Sequence, residues 1–298
     1  MLLQDPRDYQ ILFLSLFLVL GIGTRDWTLR PDLILVAIAT CLVTQWVAAS
    51  IKQYLQRSVP ENCPQSLDSG LASPVKSLSL RSAAITALSL SLLLRADHYS
   101  TIVVAGSLAI LSKFLFQVGR KHFFNPANFG IIAALTLTND AWVSPGQWGD
   151  DWLYALLFAG AGGIVLNRVG RWDTSAAFFG FYALLEAIRN IWLGWTWDVL
   201  IHRLMSGSLL LFALFMITDP RSIPNARTSR LVWAACIALL TFILRNQFFI
   251  STAVFWALFA LAPLSILLDF IWSAPRFSWL TPKVEWALPT VPSDRSLQ

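Results

Sequence analysis

The sequence predicts an all-α integral membrane protein, with about ten transmembrane segments in two inverted five-helix repeats and short half-helices in each repeat. Three observations predict it. Of the 298 residues, 56% are hydrophobic and 13% charged, more apolar side chain than a soluble domain of this size can cover. The apolar residues gather into long blocks, as membrane-spanning helices require. Two of those blocks, the third and the eighth, are short and occupy corresponding places in a five-plus-five arrangement.

In order along the chain, the first helix is expected over 9–23 and the second over 33–54. The N-terminus carries Asp5, Arg7 and Asp8 and lacks a basic leader, and no small-residue cleavage site follows, so the first helix is expected to be retained. A polar loop rich in Ser and Pro, 56–78, follows and is placed in the cytoplasm. The third apolar run, 83–94, gives roughly 18 Å of helix against a hydrocarbon core of roughly 30 Å, so it cannot cross alone. The fourth helix runs on to about Val118. The fifth is expected over 126–137, where Asn125 is a candidate N-cap and Pro126 suits the first turn because its missing N–H would have no helical partner.

The second half repeats the count. An acidic, Trp-bearing loop precedes a sixth helix at 152–166 and a seventh at 174–193; a short eighth run, 204–218, stops at Asp219-Pro220. The ninth and tenth are expected over 231–244 and 252–272. The chain thus reads as one membrane domain, 1–298, with repeats over 9–137 and 152–272 and an interfacial tail at 273–298. Alternate loops differ in charge. Arg7, Lys52, Arg57, Lys76, Arg81, Arg120, Lys121, Arg168, Arg171, Arg221, Arg227, Arg230, Arg276, Lys283 and Arg295 fall on one side, against Arg25, Arg30, Arg95, Arg189, Arg203 and Arg245 on the other. Basic residues mark the cytoplasmic side, so both termini are placed there.

The net charge of +5 is spread through such loop clusters, which points to lipid headgroups and topology signals and away from nucleic acid. Cys41, Cys63 and Cys236 show no metal-ligand spacing, and no catalytic acid, base or nucleophile constellation is visible. Polar groups within apolar runs are the candidates for function. Asn125 and Asn128, three apart, could turn both amides toward one cavity. Asp219, at a helix break, needs a partner, for which Arg221, Arg227 or unpaired amides are available. Glu186 and Arg189 fit an intramembrane ion pair or an ion pathway. Lys113 is expected either to snorkel to the interface or to meet a headgroup.

Two stretches carry a resemblance. Lys121-His122-Phe123-Phe124-Asn125-Pro126-Ala127-Asn128-Phe129-Gly130 and Phe215-Met216-Ile217-Thr218-Asp219-Pro220-Arg221-Ser222-Ile223-Pro224, with Ser206-Gly207-Ser208 one helix earlier, are similar to signatures of the NqrB/RnfD family. Its members are membrane subunits of the sodium-pumping NADH:quinone reductase and of the Rnf electron-transport complex. The likeness covers roughly 83–270 and is nearest to stand-alone relatives of the enediyne-biosynthesis membrane protein type. It implies an inverted-repeat fold related to urea transporters, in a prokaryotic-type inner or thylakoid membrane. It further implies transmembrane electron transport by flavin, with other membrane electron-transfer subunits or redox proteins as partners.

The resemblance places Lys121, His122, Asn125, Pro126, Asn128, Ser206, Gly207, Ser208, Asp219 and Pro220 at a cofactor. Family members with covalent FMN attach it to a threonine between the fifth and sixth helices. Here that connection, Asn139-Asp140-Ala141-Trp142-Val143-Ser144-Pro145-Gly146, lacks the pattern, so a non-covalent flavin, FMN or riboflavin, or a quinone-like ligand is expected. Two other functions fit the same fold: a solute or ion transporter or channel, and a scaffold or assembly factor of a membrane complex.

Overall fold

The computed structural model describes residues 5–24, 29–57, 80–119, 121–144 and 152–277. The loop expected at 56–78 and the tail at 273–298 fall largely outside these residues, as do Cys63 and Arg120. The helices of the first half are α1 (Pro6–Thr24), α2 (Pro31–Arg57), α3 (Leu80–Leu93), α4 (Tyr99–Leu115) and α5 (Pro126–Leu137). The second half contains α6 (Trp152–Val169), α7 (Trp172–Trp192), α8 (Trp197–Leu204), α9 (Gly207–Leu211), α10 (Arg227–Asn246), α11 (Ala253–Leu261) and α12 (Leu264–Ile271). A π turn, Phe212–Met216, continues α9.

By length and composition, α1, α2 and α10 can each cross a membrane. Two further spans arise if each bent pair counts as one: α8 with α9 and its π turn, bent by 53°, and α11 with α12, bent by 47°. The tenth segment is therefore broken where a continuous run was expected, whereas the eighth, α9 with its π turn, is short as expected but preceded by α8, which was not. The breaks have local causes. Met205 and Ser206 separate α8 from Gly207, and Pro263, which has no N–H to give, stands between α11 and α12.

The short third segment is as expected. α3 has 14 residues, roughly 21 Å of helix, too short for a hydrocarbon core. It does not meet its counterpart tip to tip. Ser82, Ile85, Thr86 and Ser89 face Phe215, Met216, Thr218 and Asp219, whereas Leu92 and Leu93 face Leu211 and Phe215. α3 and α9 thus lie antiparallel, side by side, with cavities between them.

The helix ends are tied by two very short antiparallel ribbons that the all-α expectation lacked. β1 (Leu94–Arg95) pairs with β4 (Trp142–Val143), and β2 (Gln117–Val118) pairs with β3 (Lys121–His122). The second ribbon explains why α4 stops at Leu115 and not near Val118: the chain must reverse at Gly119, whose φ of +54° suits glycine. The carbonyls left at the end of α3 are satisfied within the chain. Arg95 Nη1 donates to Ser91 O at 2.9 Å, Leu92 O at 3.2 Å and Leu94 O at 3.1 Å, and a cation there also suits the helix dipole.

The core runs between the halves. Phe17 of α1, Tyr182 and Phe178 of α7, Phe212 and Phe255 are all wholly buried. Large apolar side chains on the outward faces, such as Leu35, Leu184 and Phe270, remain exposed, as lipid contact requires. Close helix approach depends on Gly130, where a Cβ would lie 2.6 Å from Ala105 O and 2.8 Å from Ala109 Cβ. The packing order recurs: α4 packs on α2 and α5 as α10 packs on α7 and α11.

Candidate functional site

Asn125 begins the site as it begins α5. Its Oδ1 accepts from Asn128 N at 3.0 Å, the expected N-cap, with Pro126 in the first turn. The amide then reaches across the molecule: Nδ2 donates to Met216 O at 3.0 Å. Gln10 Nε2 of α1 donates to Phe215 O at 3.4 Å, and Thr218 Oγ1 to Leu214 O at 3.1 Å. The carbonyls that the π turn leaves without helical partners are thus held by side chains, Met216 O also by Asp219 N at 3.4 Å, as burial demands. Ser175 of α7 serves Ala213 O in the same way.

Asp219 follows at the break. Its partner is His122, Nε2 to Oδ2 at 3.5 Å, while Oδ1 accepts from the Arg221 amide at 3.2 Å. Neither expected guanidinium takes it. Arg227 instead approaches Asp173 at 3.7 Å, beside the Arg230 ion pair with the same carboxylate. A carboxylate at the C-terminal end of a helix opposes the helix dipole, so its place here needs the imidazole and amide that meet it.

His122, Asn125, Pro126, Asp219, Pro220 and Arg221 line one cavity of about 70 Å³, closed by Arg7 and Gln10 of α1 and by Ser82, Thr86 and Ser89 of α3. The two sequence motifs, almost a hundred residues apart, meet there. Lys113 backs this wall. It is buried and donates to Ser82 Oγ at 3.1 Å and Ser82 O at 3.3 Å, so it neither snorkels nor reaches a headgroup.

Other expected members lie elsewhere. Lys121 is drawn off into an ion pair with Asp269, whose other oxygen accepts from Asn225 N at 2.7 Å. Asn128 turns away from Asn125. Its Nδ2 donates to Phe255 O at 3.1 Å, and its buried Oδ1 has no hydrogen-bond partner among the described residues. Ser206 and Ser208 open onto a second cavity of about 340 Å³ at the other end of α9, and Gly207 is the buried first residue of that helix.

Glu186 takes Arg203, not Arg189, as its ion partner, at 3.0 Å. It also accepts from Tyr182 Oη and Asn246 Nδ2, both at 2.9 Å. Arg189 instead lies over the Trp195 ring, 4.6 Å from its centroid. Sequence reasoning missed Arg203, Asn246 and Tyr182; of these only the Tyr182–Glu186 spacing, four apart on one helix, was visible. It missed Arg95 and Asp140 too. Asp140 accepts from Thr101 Oγ1 at 2.6 Å, from His98 N at 2.9 Å and from Asp97 N at 3.1 Å, joining the loop after α5 to the start of α4. The Thr101 hydroxyl, followed by His98, holds the Asp140 carboxyl well below the usual carboxylate range. No cluster suited to a metal ion occurs among the described residues.

Comparison with known proteins agrees with the second motif. Residues 138–276 match the model of the NQR2, RnfD, RnfE family. The RnfD component of the ion-translocating oxidoreductase complex of Vibrio vulnificus (strain YJ016) is 33% identical over 101 residues, 33% of this chain and 28% of that protein. That of Vibrio atlanticus (strain LGP32) is 32% identical over 114 residues, 38% of this chain and 32% of the relative. The Actinobacillus pleuropneumoniae serotype 5b (strain L20) protein is 28% identical over 102 residues, 34% of this chain and 29% of its own length. The chain therefore spans about a third of the length of the curated relatives it matches. The first motif, 121–130, precedes the matched family segment.

Proposed function

We propose that this chain, an integral membrane protein whose residues 138–276 match the NQR2, RnfD, RnfE family, is an electron-transport membrane subunit. It works beside other subunits of an oxidoreductase complex and holds a non-covalent flavin or quinone-like ligand. The observation that carries this reading is the convergence of both motifs on one cavity, through the Asn125 bond to Met216 O and the His122 contact with Asp219. The ten-segment inverted repeat belongs to the same proposal, supported by the recurring packing order. So does a cytoplasmic position for both termini, supported by the surplus of basic residues in one set of alternate loops.

The residues present fit part of such a ligand. Asn125, Ser82 and Arg221 offer donors, and Asp219 and Thr86, whose hydroxyl hydrogen goes to Ser82 O, offer acceptors, around a cleft of about 70 Å³. A whole cofactor ordinarily needs roughly 300 Å³ or more. The site thus suits a quinone head or the polar edge of a flavin entering between α3 and α9, with the rest of the ligand outside the cleft. When bound, such a group supplies the electron-accepting ring. The protein positions its polar edge with Asn125, keeps His122 and Asp219 as a proton-holding pair beside it, and excludes bulk water with Phe215 and Met216.

Extraction of gently purified protein, with chromatography and mass spectrometry of the released small molecules, tests this. A flavin or quinone near one per chain is expected. Its absence from active membranes and purified protein alike would refute the reading.

A second reading, a solute or ion path, is favoured by one observation. The cavity of about 70 Å³ is followed along α9 by a small apolar one, bounded by Leu14, Leu92, Leu93 and Leu211, with the larger Ser206 cavity at the far end of the helix. Flux into liposomes without any redox partner would support it.

A further inference from the structure

The geometry points to a second ligand site, for a small oxyanion of the phosphate class, in the cavity at the Ser206 end of α9. This cavity, about 340 Å³, is larger than the one that holds Asp219 and shares no lining residue with it. Its polar wall includes Arg203, Arg245, Ser206, Ser208, Ser251 and Thr252.

Charge is the first argument. Glu186 neutralises Arg203. Arg245 makes its described side-chain hydrogen bond to Tyr182 Oη at 3.1 Å and forms no ion pair among the described residues. Arg189, outside the cavity lining, shares the Trp195 ring with Arg203, and its buried Nη1 has no hydrogen-bond partner among the described residues. Arg203 and Arg245 thus line the cavity, while among the described residues only Arg203 has a carboxylate partner, in a partly buried setting where an uncompensated charge is costly. An anion entering the cavity would remove that imbalance.

The second argument is donor geometry. Among the described residues Arg203 commits its Nη1, to Glu186 and Asn246 Oδ1, which leaves the other edge of its guanidinium for a ligand. Guanidinium pairs with adjacent hydroxyls are the donor set that tetrahedral oxyanions accept best. Ser206 and Ser208 lie 3.0 Å apart, oxygen to oxygen. Thr252 stands at the start of α11 without making a side-chain cap bond, so its hydroxyl is available to the cavity. Glu186 holds Arg203 without lining the cavity itself. The chemistry is shared by a free phosphate and by the phosphomonoester of a lipid headgroup.

Binding is measured on the full chain in a neutral detergent and a phosphate-free buffer, by thermal unfolding and calorimetry. One arm titrates inorganic phosphate against chloride at equal ionic strength, and the other titrates short-chain phosphatidic acid against phosphatidylcholine. Phosphate is expected to raise the melting temperature beyond the chloride control. Arg245→Gln is expected to weaken half-saturation about tenfold or more, the loss of one charge-assisted bond. Thr252→Val with Ser251→Ala, which removes no described side-chain hydrogen bond, is expected to weaken it in the same direction and serves if Arg245→Gln does not fold. Stabilisation by phosphatidic acid alone would assign the site to a headgroup phosphate. Equal effects of chloride and phosphate, with none from phosphatidic acid, or an unchanged response in the variants would overturn the site.

Discussion

Replacing Asn125 by alanine removes two interactions at once, and their sum can be worked out. The N-cap bond to Asn128 N, 3.0 Å long, is worth about 1 kcal/mol. Loss of the bond from Nδ2 to Met216 O, also 3.0 Å, leaves that buried carbonyl only the long bond from Asp219 N, 3.4 Å, at about 1–3 kcal/mol. The total is roughly 2–4 kcal/mol, and water entering the polar cavity would pull it toward the lower end. At about 2 °C per kcal/mol for a chain of this size, Asn125→Ala lowers the melting temperature by roughly 4–8 °C. Asn125→Asp keeps the cap acceptor but turns a buried carboxylate oxygen toward the Met216 carbonyl, so it should lose at least as much as the second bond is worth. The assay is thermal unfolding in detergent, followed by tryptophan fluorescence. An Asn125→Ala melting temperature within a degree of the parent would show that the two motifs are not braced through this amide.

Further outcomes follow from the same contacts. Glu186→Gln strands Arg203, at about 3 kcal/mol, the low end for a broken buried pair because the Arg203 side chain is 25% exposed. Arg189→Ala loses only its place over Trp195, about 1 kcal/mol, and unfolding midpoints of the two variants should separate accordingly. Gly130→Ala drives a Cβ against Ala105 O and should destabilise by about 1–3 kcal/mol. Gly160→Ala, where nothing lies within 4 Å, should be neutral or slightly stabilising. Because the folded state depresses the Asp140 carboxyl, its contribution is whole above the unfolded carboxylate value of about 3.9 and is lost only as pH falls below it. Asp140→Asn should therefore lower the midpoint by a constant amount between about pH 5 and 8, and flatten the fall at more acid pH.

Some of this was legible in the residues. Asn125-Pro126 announces a helix start by chemistry, and α5 begins there. The length of an apolar run bounds helix length, and α3 is short as its run is short. Hydrophobicity, however, reports the solvent and not the direction of the chain, so the break within the tenth segment is hidden in an unbroken apolar run, and α8, with Asp198, His202 and Arg203, carries too few apolar residues to stand out ahead of the eighth. Pro263 and Ser206-Gly207 were the available signs. Pairing is the least legible. The His122–Asp219 contact joins residues almost a hundred positions apart, and nothing local favours it over Arg221. Glu186 and Arg189 have the spacing of a helical pair, yet Arg203 arrives from α8 and Trp195 offers Arg189 an alternative. The split of Ser206-Gly207-Ser208 from Asp219 follows from a helix lying between them, which spacing alone cannot orient.

The central claim is that both motifs build one site for a redox ligand between α3 and α9. An oxidised-minus-reduced absorbance spectrum, taken on gently purified parent protein and on Asp219→Ala, tests it most directly. The account predicts a flavin or quinone difference signal in the parent that is strongly diminished in the variant while the fold is kept. A parent without any redox signal, or a variant whose signal matches the parent's, would contradict it.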